Sequence, residues 1–131
     1  MSNNMTYHVK LVLDNDPDVN DDVQCITSHV MARIYHDHNG QPYSDQKRAR
    51  IYVLSEFLRN YIEEITDAGN EYSFHRPMTQ EIICGAIQEI SFREIAEDLI
   101  GDYSPKTAEE MAEREEFFTI RGFGNYDIDE D

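Results

Sequence analysis

Tyr7-His8-Val9-Lys10-Leu11-Val12-Leu13 is the stretch on which the fold class turns. Tyr7, Val9, Leu11 and Leu13 alternate with His8, Lys10 and Val12, and alternation of this kind is the pattern of a half-buried strand. On that reading a strand covers residues 7–13 and ends at the polar run Asp14-Asn15-Asp16-Pro17-Asp18. A strand needs a neighbour to take up its backbone hydrogen bonds. Phe118 and Ile120, extended by Phe123, supply a short closing strand at the other end of the chain.

Between these two segments the apolar spacing is helical. Val23, Ile26, Val30 and Ile34 make one stripe of a helix that starts near residue 20, and Asn39-Gly40 with Pro42 closes it. A longer helix over residues 45–67 carries Ile51, Leu54, Leu58, Tyr61, Ile62 and Ile65, with Val53 and Phe57 widening its apolar face. Gly69-Asn70 stops it, and residues 68–77 read as a connecting loop. Residues 78–90 form a third helix through Ile82, Ile83, Ala86, Ile87 and Ile90. Ser91-Phe92-Arg93-Glu94 then matches a capping box, in which Ser91 accepts from the Glu94 amide and Glu94 reaches back to the Ser91 amide. The fourth helix runs from Phe92 to near Gly101 and buries Ile95 and Leu99 together with Phe92 or Ala96. Ser104-Pro105 opens a fifth, reaching about Phe117, and residues 125–131 form a frayed acidic tail. The expectation is a single, mostly helical α+β domain over residues 1–131, with about five helices and a small N-terminal strand paired with a C-terminal one.

Charge dominates the composition. The chain sets 27 Asp and Glu against 11 Lys and Arg, a net charge of -16 on 131 residues, while 40% hydrophobic content still provides a core. A domain of this size has a diameter of about 36 Å, and duplex DNA carries about 21 phosphate charges over that length. The two charge loads are comparable. Residues 1–76 hold 12 acids and 7 bases, whereas residues 77–131 hold 15 acids and 4 bases, so the charge is polarised toward the C-terminal part. Glu94, Glu97 and Asp98 share one face of the fourth helix, with Asp102 at its end. Glu109, Glu113 and Glu116, with Glu110 beside them, repeat the pattern on the fifth. Like charges at this spacing oppose helix formation by a few tenths of a kcal/mol per pair, about 0.2–0.5. These eight residues are therefore the candidate partner-binding groups, acting as phosphate surrogates. Lys47, Arg48 and Arg50, with Arg33 and Arg59, gather most of the positive charge in the first half and offer a face for a second copy, as in a homodimer.

Such a balance excludes direct binding to nucleic acid or anionic lipid, which needs a basic footprint. Residues 1–30 hold no apolar run suited to a signal peptide, and nowhere are there ~18 consecutive apolar residues. A cytoplasmic protein is expected. Cys25 and Cys84 lie inside apolar helical patterns and read as reduced core thiols. Asp14, Asp16 and Asp18 open like a calcium loop, but Val19 stands where the loop needs Gly and Cys25 where it needs Glu. Cys25 with His29, and His36 with His38, fall short of a four-ligand zinc set. No Gly-rich phosphate loop, C-x-x-C or H-E-x-x-H occurs, so neither a cofactor nor an enzyme activity is expected.

Residues 7–16, Tyr-His-Val-Lys-Leu-Val-Leu-Asp-Asn-Asp, resemble the NYETW…LWLDND opening of small acidic proteins encoded by bacteriophages and their hosts. Residues 89–99, Glu-Ile-Ser-Phe-Arg-Glu-Ile-Ala-Glu-Asp-Leu, resemble the later EVDWxEIAxxLL segment of the same proteins. Order and separation agree, although Val12 and Phe92 stand near positions where that family often carries Trp. The resemblance implies a phage context rather than an activity. Residues 92–103 also resemble a segment of antirestriction proteins that mimic DNA. Together with the charge, this leads to the expectation of a phage-encoded, non-enzymatic inhibitor in the host cytosol, bound to a basic nucleic-acid-binding protein of host defence or DNA handling. The alternative is an interaction module that grips a host protein by shape and apolar contacts, with Tyr35, Tyr43, Phe123 or Tyr126 as hot spots.

Overall fold

The computed structural model describes residues 3–66 and 77–103, together with Glu109, Glu110, Glu113 and Arg114. Five helices are delimited among the described residues: α1 (Asn4–Asn15), α2 (Pro17–Met31), α3 (Gln46–Ile65), α4 (Pro77–Gln88) and α5 (Phe92–Asp102). The mostly helical expectation holds. Among the described residues there is no strand, only an isolated antiparallel bridge between His36 and Pro42.

The expected N-terminal strand is α1. Residues four apart lie on one side of a helix and of a strand alike, so Val9 and Leu13 do not distinguish the two periods. Thr6 and Leu11 do. Thr6 is fully buried while Leu11 is 39% exposed, the register of a helix that turns Thr6, Val9 and Leu13 inward. Asn3 caps this helix by accepting from the Thr6 amide at 2.8 Å. A helix satisfies its own backbone and needs no partner strand. The closing strand expected over residues 118–123 and the tail at 125–131 lie outside the described residues.

α1 and α2 form a hairpin joined by one residue. Asp16 ends α1, its amide donating to Val12 O, and also caps α2, its carboxylate accepting from the Asp18 and Val19 amides. Pro17 occupies the first turn, where its missing N–H costs nothing. α2 thus begins three residues earlier than its apolar stripe suggested and ends before Ile34, which is 62% exposed.

α3 is the central element, packing most extensively on α5 and then on α2. Its Val53, Leu54, Phe57, Leu58 and Tyr61 join Leu13 of α1, Val23, Ile26 and Val30 of α2, Ile87 of α4, and Phe92, Ile95 and Ala96 of α5 in one core. The α2–α3 connection is held by Gln46. Its Oε1 accepts from the Tyr35 amide, and its Nε2 donates to Tyr35 O and Tyr43 O, each at 2.8 Å. Within that loop Gly40 adopts a φ of 82°, a conformation that favours glycine.

Glu109, Glu110, Glu113 and Arg114 have helical backbone, in the span where the fifth sequence-predicted helix falls. Arg114 Nη1 donates to Ser28 Oγ at 2.9 Å and ties this part of the chain to α2.

Candidate partner-binding acidic surface

The α5 acids divide by what faces them. Ser91 caps α5 by accepting from the Glu94 amide at 3.4 Å, as the capping box requires. The Ser91 amide donates to Thr6 Oγ1 at 2.8 Å, an acceptor 85 residues away on α1. Asn3 Nδ2 donates to Glu89 O at 2.6 Å on the same side. These two bonds dock the start of α1 against the α4–α5 junction and bring Lys10 over the α5 acids.

Lys10 Nζ lies 2.6 Å from an Asp98 carboxylate oxygen and 3.6 Å from one of Glu94. The hydrogen bond to Asp98, opposed by partial burial and reinforced by the charge of both carboxylates, raises the Lys10 ammonium above its ordinary value of 10.5. Glu97 is paired with Arg93 at 3.0 Å, one helical turn away. Three of the eight sequence-predicted acids therefore face cations of the same chain. Asp102 is exposed in the last turn of α5, and Glu109, Glu110 and Glu113 are exposed on their helical segment. Glu116 lies outside the described residues.

A second set of acids escaped the sequence reading. Asp14, Asp16, Asp18 and Asp21 are all exposed along the α1–α2 hairpin. Residues 14–18 read as a polar loop, so their side chains were not counted as a surface row. The Asp16-Pro17 pair, a cap followed by a first-turn proline, was the signal that α2 extends through them. Asp21 and Glu113 line one concavity of about 350 Å³ together with Asn20, Gln24, Cys25 and Arg114. One hairpin acid and one acid of the C-terminal helical segment thus share it. Among the described residues no group of three His, Cys, Asp or Glu is placed to hold a metal ion. The Asp16 carboxylate serves as a helix cap.

The basic residues separate in a similar way. Arg33 Nη1 donates to His29 O, and the Arg50 guanidinium donates to Arg33 O through Nε and Nη2. Both hold backbone turns. Lys47, Arg48 and Arg59 instead line a groove of about 630 Å³ between α3 and the start of α5, where Arg93 joins them.

Of the expected aromatic hot spots, Tyr35 is not a surface group and Tyr43 is only partly exposed. Tyr35 is 2% exposed in the core and Tyr43 is half-buried against it, because the Gln46 clamp folds their loop inward. Phe123 and Tyr126 lie outside the described residues. The exposed apolar groups of the N-terminal hairpin are Tyr7, Leu11 and Val12 on the outer face of α1. Cys25 is buried and Cys84 half-buried, and the two are not joined in a disulfide.

No known protein family, curated protein or solved structure matches this chain. Among the described residues no helix is long and apolar enough to cross a membrane.

Proposed function

We propose that this protein is a non-enzymatic, phage-encoded inhibitor whose acidic surface occupies the nucleic-acid-binding surface of a basic host protein in defence or DNA handling. The observation that carries this reading is the exposure of two acidic sets, Asp14, Asp16, Asp18 and Asp21 on the hairpin and Glu109, Glu110 and Glu113 beyond α5, of which Asp21 and Glu113 line one concavity. Residues three apart on a helix are separated by about 4.5 Å along its axis, so Asp18 and Asp21 present charge at close, regular intervals. A molecule of net charge -16 with such rows attracts cationic surfaces at long range and competes there with phosphate. Glu94, Glu97 and Asp98 are the weaker contributors, because Lys10 and Arg93 already offset them. Asp102 continues the acidic surface at the end of α5.

Capture from host lysate at low and high salt tests the reading. The retained partner is a nucleic-acid-binding protein, its capture weakens with salt, and added DNA displaces it. Capture insensitive to both salt and DNA counts against mimicry.

One observation favours a second reading. Tyr7, Leu11 and Val12 are exposed side by side on α1 and suit recognition of a host protein by apolar contact. In that case Tyr7→Ser with Leu11→Ser abolishes capture while neutralising the acids leaves it intact.

A further inference from the structure

We propose that the groove between α3 and the start of α5 is the docking site of this chain's own acidic segment, residues 126–131, independently of what the acidic surface binds. The groove concentrates four of the chain's 11 Lys and Arg residues, Lys47, Arg48, Arg59 and Arg93, against two acids, Asp45 and Glu56. Two of its cations have partners within the chain. The Arg59 guanidinium stacks on the Phe92 ring at 4.9 Å, and Arg93 is fixed by Glu97 at 3.0 Å. Asp45 is occupied as the cap of α3, accepting from the Arg48 amide. Ile51 and the exposed Tyr52 give the groove an apolar lining. It therefore selects a short anionic peptide that also carries apolar side chains.

Residues 126–131 read Tyr-Asp-Ile-Asp-Glu-Asp, four carboxylates interleaved with an aromatic and an aliphatic residue. In an extended peptide Tyr126 and Ile128 fall on one side and Asp127 and Asp129 on the other. The first side suits Ile51 and Tyr52, and the second suits the guanidinium and ammonium groups along the groove. An external anion must approach a molecule of net charge -16, which repels it. A segment of the same chain already belongs to that charge, and tethering raises its effective concentration to about the millimolar range. Reach is sufficient: from Arg114, bonded to Ser28, the 12 residues to Tyr126 extend up to about 40 Å, against a domain diameter of about 36 Å.

The test compares backbone amide NMR spectra of the full chain with those of a D127N/D129N/E130Q/D131N variant. Docking predicts shifts at Lys47, Arg48, Tyr52 and Arg93 that are unchanged by dilution and vanish in 1 M salt, where the Debye length is about 3 Å. The reciprocal variant K47E/R48E shifts the amides of residues 126–131. Differences confined to the neighbours of the substituted residues overturn the proposal. So do groove shifts that disappear on dilution, which would make the occupant a second copy.

Discussion

The Ser91 backbone N–H donates to the Thr6 hydroxyl at 2.8 Å, joining the cap of α5 to the buried face of α1. Ser91 and Glu94 are the sequence signature of a capping box, yet the cap amide takes an acceptor from the other end of the chain. The Glu94 carboxylate lies 3.6 Å from Lys10, itself one turn beyond Thr6 on α1. Cap, helix docking and ion pair are thus one arrangement, in which each contact sets the position of the next.

Thr6→Val keeps the shape of this contact but removes the acceptor. Thr6 is fully buried and its bond to the Ser91 amide is part-buried, so removing the acceptor costs about 1–1.5 kcal/mol. Thr6→Ser retains the hydroxyl and loses one methyl group, about 0.8 kcal/mol. Urea unfolding of the two variants should rank Val below Ser; the reverse order would mean that packing, not the hydrogen bond, holds α1 in place.

Lys10→Met should lower stability by about 1 kcal/mol, since it removes a partly buried ion pair and leaves Glu94 and Asp98 facing each other one turn apart. The pH dependence has a defined sign. The folded-state value is raised above 10.5, so the contribution is fully present below the unfolded value and disappears as pH rises through the folded one. The stability difference between the wild type and Lys10→Met should be flat at neutral pH and shrink above about pH 10.5. Subtracting the variant removes every other ionisation that the two chains share.

Gln46→Met tests the loop clamp. It removes three hydrogen bonds to the Tyr35 and Tyr43 backbone at little change in side-chain volume, and the expected loss is about 2–3 kcal/mol. Hydrogen exchange should accelerate at the Tyr35 amide, with α1 unaffected. Acceleration spread evenly over the molecule would instead indicate global destabilisation.

Sequence periodicity carried the helices whose apolar stripes are long. Leu54, Leu58 and Tyr61 place α3 to within two residues at either end, and Ser91 places the start of α5. It failed where the segment was short and its discriminating residue polar. Alternation in residues 7–13 concealed a helix because its inward face includes Thr6, which no apolar pattern counts. Thr6 is buried with its hydroxyl accepting from the Ser91 amide 85 residues later. The acidic surface was half legible for a related reason. Rows at i, i+3 and i+4 on α5 could be read directly, but their pairing with Lys10 depends on the docking of α1. Asp18 and Asp21 form a row only once Asp16 and Pro17 are recognised as the start of α2.

The two acid sets give the binding proposal its sharpest test. Neutralising Asp18, Asp21, Glu109 and Glu113 to Asn or Gln removes exposed charge from both sets. Neutralising Glu94, Glu97 and Asp98 removes nearly as many formal charges, but these face Lys10 and Arg93. If binding followed total charge, the two variants would weaken it almost equally, since both change the net charge by similar amounts. If it follows exposed rows, the first variant should lose most of its affinity and most of its salt dependence while the second loses little. Titration of the captured partner at two ionic strengths separates these outcomes. Equal losses would return the acidity to a general field, and no loss in either would leave the apolar face of α1 as the binding surface.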